Sequence, residues 1–331
     1  MIHDSVASCI GRTPLVSLGR LFPQRGLEVI AKVEALNPGG SMKDRPARFI
    51  VERGLRDGTI QPDTHLIESS SGNLGIALAM LARVHHLSFT CVVDPHISPD
   101  NLRMLQLFGA RIEMVSQPDE HGNYLKARIA RVQELLKRTP RGYWINQYAN
   151  QLNWQAHYYD TAGEILADLD RPIDCLVVAV STTGTILGLA RRLREVYPGL
   201  RVVAVDAVGS VIFGGAPGPR AIPGLGANRV PELLSPDEID EVVYVADVDS
   251  ARACRELVLH EGILAGGSSG SVIAGIQQLA PDFPRPYRVL TLLPDRGERY
   301  LDLVYDDAWV ARLPQVATPL PQSLIEHIAV H

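Results

Sequence analysis

Lysine is scarce in this chain: Lys32, Lys43, Lys126 and Lys137 stand against twenty-eight arginines. An amine that is to form a covalent bond or carry a proton must come from one of these four. Lys43 lies in Asn37-Pro-Gly-Gly-Ser-Met-Lys-Asp-Arg-Pro-Ala47. The preceding stretch, Leu27–Leu36, alternates polar Glu28, Lys32 and Glu34 with apolar Val29, Ala31, Val33 and Ala35, the pattern of a strand. Pro38-Gly39-Gly40 breaks it, and Ser41 or Asp44 is placed to cap a helix over Arg45–Leu55. A lysine at such a strand-to-helix turn is held on a rigid frame, near N–H groups that suit an anion. Lys32 falls on the polar side of its strand. Lys126 and Lys137 border the apolar stripe Leu125, Ile129, Val132, Leu136 of a helix. Lys43 is the one placed for covalent chemistry, although taken alone the stretch also describes a solvated lysine beside a cap.

Hydroxyls and glycines gather in three further stretches: Ser69–Gly75, Ser181–Thr185 and Gly266–Ser271. Each precedes a helix, where free N–H groups receive anions. Ser181-Thr-Thr-Gly-Thr185 is the best phosphate cradle, since an apolar strand delivers it and Gly184 permits close backbone approach. Ser69–Gly75 suits a substrate carboxylate. There is no Gly-x-x-x-x-Gly-Lys loop and no Gly-x-Gly-x-x-Gly after a strand. The ten histidines form no metal-ligand spacing, so no metal is expected. Cys9, Cys91, Cys175 and Cys254 are scattered without a Cys-x-x-Cys pair, which favours buried reduced thiols.

The elements that must position these residues alternate along the chain. Strands are expected at Thr64–Ser69, Ser88–Val93, Ala110–Val115, Tyr143–Asn146, Cys175–Val180, Arg201–Val205, Glu241–Val248 and Arg288–Leu293. Helices are expected at Ile76–Val84, Asn101–Phe108, Asn123–Arg138, Ile186–Tyr197, Asp249–Glu261 and Val272–Leu279. Gly11–Leu18 reads as an irregular lead-in, Asn146–Trp154 as a domain crossing, Val208–Arg229 as a loop, and the residues after Val310 as a tail. Strands alternating with helices imply an α/β architecture of parallel sheets with helices on both faces, in two lobes.

The 331 residues suffice for two domains, and 46% apolar with 21% charged residues describes a globular protein. A net charge of −5 offers nothing to nucleic acid or to an anionic membrane. No apolar run reaches the ~18 residues of a membrane span. The N-terminus lacks the regions of a signal peptide, and a cytoplasmic location is expected.

Taken together and in this order, the motifs resemble the pyridoxal-phosphate-dependent cysteine synthases and cystathionine β-synthases. Asn37–Ala47 is similar to their Asn-Pro-x-x-Ser-x-Lys-Asp-Arg signature, and Ser71-Gly-Asn-Leu-Gly75 to their substrate loop. Ser181–Thr185 is similar to their phosphate loop, Gly267-Ser-Ser-Gly270 to their pyridine-nitrogen site, and Pro294–Tyr300 to their C-terminal signature. The resemblance spans about Gly11 to Tyr305. It implies the two-domain type II (tryptophan synthase β-like) fold, a homodimer and pyridoxal 5'-phosphate. The implied domains are a smaller mobile substrate domain, 43–148, a larger cofactor-binding domain, 1–42 plus 149–310, and a tail, 311–331. The resemblance makes Lys43 the Schiff-base lysine and the base at Cα. Asn73 would bond the phenolic oxygen, Ser181, Thr182, Thr183, Gly184 and Thr185 the phosphate, and Ser268 the pyridine nitrogen. Ser70, Ser71, Gly72 and Gln147 would bind the α-carboxylate of an amino-acid substrate, and elimination would give an aminoacrylate to which a nucleophile adds.

Four positions depart from the cysteine synthase pattern. Ser181 replaces a glycine, Tyr148 a phenylalanine, Leu74 a threonine that could bind carboxylate, and Arg296 a serine. Hydroxyls at Ser181 and Tyr148 suit a leaving group more charged than acetate. Within the family these departures, with Asn37–Arg45 and Pro294–Tyr300, most resemble a member that condenses two amino acids. That resemblance implies O-phospho-L-serine as first substrate and L-glutamate as nucleophile, with the product feeding L-2,3-diaminopropionate into a siderophore or related natural product. The core motifs equally permit a cysteine synthase that uses sulfide with O-acetyl-L-serine or O-phospho-L-serine.

Overall fold

The computed structural model describes residues 2–120, 122, 124–314 and 322–323. The chain divides into two compact units, Met1–Gly11 with Asn37–Ala156 and Arg12–Leu36 with His157–His331. The described strands in chain order are β1 (Leu15–Ser17), β2 (Leu27–Val33), β3 (His65–Ser69), β4 (Ser88–Val93), β5 (Arg111–Met114), β6 (Gly142–Trp144), β7 (Cys175–Ala179), β8 (Arg201–Ala207), β9 (Glu241–Val245), β10 (Tyr287–Leu293) and β11 (Gln322–Ser323).

In the first unit the strands form one parallel sheet, ordered β5-β4-β3-β6. Side chains alternate across a strand, so both faces of a covered sheet must be apolar. Leu66, Phe89, Cys91 and Val93 pack to one side, in a cluster with Leu78 and Leu81 of helix Asn73–Val84 and Ile50 of helix Asp44–Asp57. Ile67 and Val92 turn to the other side and meet Val132 of helix Tyr124–Arg138. Each such Leu or Ile contributes roughly 1.5–3 kcal/mol on full burial. Ala7 and Ile10 join the first cluster, which is why the N-terminal residues belong to this unit. Ser98 caps helix Pro99–Leu107 by accepting from the Asn101 N–H at 3.2 Å.

The second unit holds a seven-stranded sheet in the order β1-β2-β10-β7-β8-β9-β11. Its five central strands run parallel, and β1 and β11 flank them antiparallel. Val177, Val203, Val205 and Val289 face one layer, where Val272, Ile273 and Ile276 of helix Gly267–Leu279 meet them. Close approach there depends on Gly275, since a Cβ would lie 2.8 Å from Val205 Cγ2. Leu176, Val178, Val202 and Ala204 alternate to the opposite face and are also buried, on the side where helix Gly184–Val196 packs.

Several expectations need adjustment. The strand Leu27–Leu36 ends at Val33 and continues as a 3-10 turn, Glu34–Leu36. Lys32 is not on a solvated side: it is completely buried. Its Nζ donates to the Thr13 carbonyl at 2.6 Å and pairs with Glu164 at 3.0 Å, because helix Ala162–Asp168 covers the face that the alternation reads as polar. Gly11–Leu18 contains β1. The helical run Leu152–Asp168, interrupted by a π turn at His157–Thr161, has no counterpart in the sequence reading. The tail lies largely outside the described residues, which include helix Asp307–Ala311 and β11.

Candidate active site

Lys43 stands immediately before helix Asp44–Asp57 and is partly buried. The turn that carries it is fastened from several directions. Asn37 Oδ1 accepts from the Gly11 N–H at 2.8 Å, and the Asn37 carbonyl accepts from the Gly40 N–H at 2.8 Å. Neither expected residue caps the helix through its side chain. Ser41 Oγ instead accepts from the Lys43 N–H at 3.2 Å, and Asp44 reaches back to accept from the Gly39 N–H at 2.5 Å. A Cβ on Gly39 would fall 2.4 Å from Asp44 Oδ1, so glycine is required there. Arg48 ties the helix to the N-terminal segment through the Ile10 carbonyl at 2.8 Å.

The loop after β3 is built as tightly. Ser70 Oγ accepts from the Gly75 N–H at 3.0 Å, and the Cys91 thiol donates to the Ser70 carbonyl at 2.9 Å. Gly75 leaves room for that carbonyl, which a Cβ would approach to 2.7 Å. Ser71 and Gly72 are partly buried, and Asn73 opens helix Asn73–Val84. Leu74 is buried in the apolar core, where threonine would add a hydroxyl to a hydrocarbon environment. Gln147 and Tyr148 follow β6 in a partly buried stretch, with the Gln147 carbonyl accepting from Asn153 Nδ2 at 2.7 Å.

Two residues of this unit escaped the sequence reading. Arg128 donates to Ser71 Oγ at 3.2 Å and lies 3.3 Å from Asp94 Oδ2, which sets a guanidinium against the Ser69–Gly75 loop. Glu68 is buried on β3 and pushed up to about 7 by its burial, opposed by bonds from Ser69, Trp144 and the main chain of Gln147 and Asn146. A lone acid inside the strand-like His65-Leu-Ile-Glu-Ser69 was the available signal for Glu68. Arg128, on the polar side of a long amphipathic helix, gave none.

In the second unit β7 delivers Ser181–Thr185 to the start of helix Gly184–Val196. Thr183 has φ 62°, and this left-handed residue before a helix start turns successive N–H groups into one concavity. The first-turn N–H groups of the helix, with Thr182, Thr183 and Thr185 buried around them, suit a phosphate without any lysine or arginine in the loop. Ser181 donates to the Gly226 carbonyl at 3.1 Å, and the Gly226 N–H donates to the Val180 carbonyl at 2.8 Å. The Ser181 oxygen is thereby committed as a donor to the neighbouring loop, and only its lone pairs remain for a ligand. Thr185 Oγ1 lies 3.2 Å from His157 Nε2, and His157 Nδ1 lies 3.0 Å from Thr161 Oγ1. His157, wholly buried in the unforeseen π turn, thus supports the Ser181–Thr185 loop from behind.

Ser268 is buried in the first turn of helix Gly267–Leu279. The preceding Gly266 donates its N–H to the Asp295 carbonyl at 3.0 Å, and a Cβ there would lie 2.0 Å from Asp295 Oδ1. Tyr300 donates to Asp295 Oδ2 at 2.7 Å, so the C-terminal signature braces the turn that presents Ser268. Arg296 donates through Nε to the Ala35 carbonyl at 2.9 Å and fastens the segment leading to Asn37. Cys91, Cys175 and Cys254 are buried free thiols, each pushed up to about 12 by burial. Among the described residues no three His, Cys, Asp or Glu side chains group as metal ligands, and no helix is long and apolar enough to cross a membrane.

The residues present fit pyridoxal 5'-phosphate: an anion nest without fixed charge, a neutral hydroxyl at a helix start, and one lysine on a braced turn. The comparisons agree with that fit. The family model described as pyridoxal-phosphate dependent enzyme matches residues 6–295. The chain is 60% identical over 313 residues, 95% of its length and 93% of the relative's, to N-(2-amino-2-carboxyethyl)-L-glutamate synthase of Ralstonia nicotianae. Its fold is similar to the O-acetylserine dependent cystathionine beta-synthase of Helicobacter pylori, with TM-score 0.84 and 34% identity over 91% of this chain and 98% of that one. It is also similar to an O-ureido-L-serine synthase, with TM-score 0.82 and 33% identity over 94% of this chain and all of the other.

Proposed function

The chain belongs to the pyridoxal-phosphate-dependent enzymes, and from that premise we propose that it joins O-phospho-L-serine to L-glutamate, forming N-(2-amino-2-carboxyethyl)-L-glutamate and phosphate. The observation that carries this reading is the 60% identity, over almost the whole chain, to a synthase of that name. In the reaction the Cβ–O bond of the serine moiety breaks first, phosphate leaving with the electron pair, and the glutamate nitrogen then forms the new bond to Cβ. The Cα proton is removed and later restored, and the amine loses one proton.

When bound, pyridoxal 5'-phosphate supplies an electron sink for the charge that develops at Cα. Lys43 holds it and moves the proton at Cα. Ser181, Thr182, Thr183, Gly184 and Thr185 hold the phosphate, while Asn73 and Ser268 bond the phenolic oxygen and the ring nitrogen. A serine at 268 carries no charge with which to keep that nitrogen protonated, which favours loss of a β-group over transamination. Ser70, Ser71, Gly72 and Gln147 bind the substrate α-carboxylate. Tyr148 adds a hydroxyl donor suited to a phosphate leaving group, whereas the Ser181 hydroxyl, read from the sequence as a second donor, gives its proton to the Gly226 carbonyl.

In this reading the substrate domain is the unit Met1–Gly11 with Asn37–Ala156, wider than 43–148 because Ala7 and Ile10 pack into its core. The cofactor-binding domain is Arg12–Leu36 with His157–His331, and the protein is a cytoplasmic homodimer. Its product suits a route through L-2,3-diaminopropionate to a siderophore. The test is a matrix of initial rates, with O-phospho-L-serine or O-acetyl-L-serine each offered glutamate or sulfide and products identified by mass. The phosphoserine and glutamate pair is expected to be fastest. Cysteine formed fastest from O-acetyl-L-serine and sulfide would overturn the assignment.

A further inference from the structure

Glu68 is 3% exposed. Its Oε1 accepts from the Ser69 N–H at 2.6 Å and from the Trp144 indole N–H at 3.4 Å, and its Oε2 accepts from the Gln147 N–H at 3.3 Å. These donors belong to two stretches distant in sequence: the end of β3, which runs into Ser70–Gly72, and the β6 segment, which runs into Gln147 and Tyr148. No Lys, Arg or His side chain bonds this carboxylate among the described residues. Its surroundings are otherwise accounted for. Cys91 stands opposite on β4 with its thiol on the Ser70 carbonyl, and His65, three residues earlier, bonds Thr90. Arg128, from the covering helix, is engaged by Asp94 and Ser71.

We propose that Glu68 is the positioning residue of the substrate α-carboxylate site, a buried carboxylate that buckles the Gln147 stretch to the strand carrying Ser70–Gly72. The inference rests on the reading of Ser70, Ser71, Gly72 and Gln147 as that site. The Asn146 main chain is a further partner, and all four partners of Glu68 are donors. An ionised carboxylate accepts from every one of them, whereas a protonated one turns an oxygen into a donor facing an N–H. Burial without a counter-charge favours the protonated form, which places the change near neutral pH. The buckle is therefore closed above neutrality and loosened below it, and substrate affinity follows.

The experiment uses holoenzyme and Glu68→Gln, which keeps the shape but sets an amide N–H₂ against N–H donors. Hydrogen exchange of a peptide covering 144–150, without substrate, is expected to lose protection in the variant. Binding of L-serine, chosen because its side chain does not titrate and read from cofactor absorbance, is expected to weaken about tenfold at pH 8, the effect of one lost charge-assisted bond. In wild-type enzyme the same binding should weaken from pH 8 to pH 6, and in the variant that inflection should vanish. Undiminished protection of 144–150, or an inflection that persists in Glu68→Gln, would overturn the role of Glu68. Should the variant fail to fold, a flat wild-type binding profile would do the same. Ser71→Ala and Gln147→Ala separate this from the underlying reading. If both bind L-serine normally, the site assignment falls and takes the role of Glu68 with it; if they weaken binding while Glu68→Gln does not, only the positioning inference is lost.

Discussion

Lys32→Met removes a cation from the interior of the second unit and tests the packing that leads toward the Lys43 turn. Lys32 is fully buried, with Nζ 2.6 Å from the Thr13 carbonyl, 3.0 Å from Glu164 and 3.8 Å from Asp168. Methionine fills much the same volume, so the loss is electrostatic rather than a cavity. The charge-assisted bond to Thr13 accounts for about 1.5–3 kcal/mol. Breaking a buried pair costs about 3–5 kcal/mol in full, but the Glu164 side chain is 21% exposed and recovers part of its hydration. A net loss of about 3 kcal/mol follows, which with a slope near 3 kcal/mol/M lowers the urea midpoint by roughly 1 M. The assay is urea denaturation followed by far-ultraviolet circular dichroism, at low and high salt. A second variant, Lys32→Met with Glu164→Gln, is expected to recover about half the loss, because it removes the carboxylate left unpaired. An unchanged midpoint, or a loss that disappears in ~1 M salt as a screened surface pair would, refutes the reasoning.

Other perturbations probe the site directly. Lys43→Ala should abolish turnover and borohydride-fixable cofactor while leaving the urea midpoint nearly unmoved, since a turn side chain contributes little to the core; fixation at Lys32, Lys126 or Lys137 would contradict it. Thr185→Ala should weaken cofactor retention before it alters substrate choice, which absorbance after dialysis checks alongside a donor comparison. Tyr148→Phe should shift the ratio of O-phospho-L-serine to O-acetyl-L-serine use by about tenfold or more, as one bond to a charged group is lost, whereas Ser181→Gly, whose hydroxyl proton is held by the Gly226 carbonyl, should move that ratio little. Asp206, buried at the end of β8, is raised to about 6 by desolvation, so the folded chain holds a proton that the unfolded chain has released above its ordinary value of 3.8. Its contribution therefore declines as pH rises from about 4 to 6, and Asp206→Asn should raise the urea midpoint at pH 7 but not at pH 4.

The sequence was most legible where one face or one short motif decides the structure. The stretch Ser88–Val93, rich in β-branched and aromatic residues, is a strand with those bounds, and the apolar run from Cys175 begins β7. Helices start at Asn73, Gly184 and Gly267, earlier than the apolar periodicity indicates, because small hydroxyl-rich residues look like loop while their free N–H groups already belong to the first helical turn. Glu241–Val248 was read too long as a strand, since Asp247 and Asp249 open the next helix. Within the site, contiguous residues such as Ser181–Thr185 could be named from their types. Partners brought in from elsewhere could not: Glu68 for Gln147, Arg128 for Ser71, and His157 for Thr185 depend on sheet order and helix packing. The burial of Lys32 is of the same kind, since a helix more than a hundred residues later covers its strand.

On the proposed function, this chain couples phosphoserine to the amine of glutamate. The direct measurement supplies O-phospho-L-serine and nitrogen-15 L-glutamate to holoenzyme and follows the product mass and the released phosphate together. The expected result is N-(2-amino-2-carboxyethyl)-L-glutamate carrying the heavy nitrogen, with one phosphate for each product. Heavy nitrogen remaining in free glutamate while the serine moiety turns into cysteine with added sulfide, or into pyruvate without it, would contradict the claim.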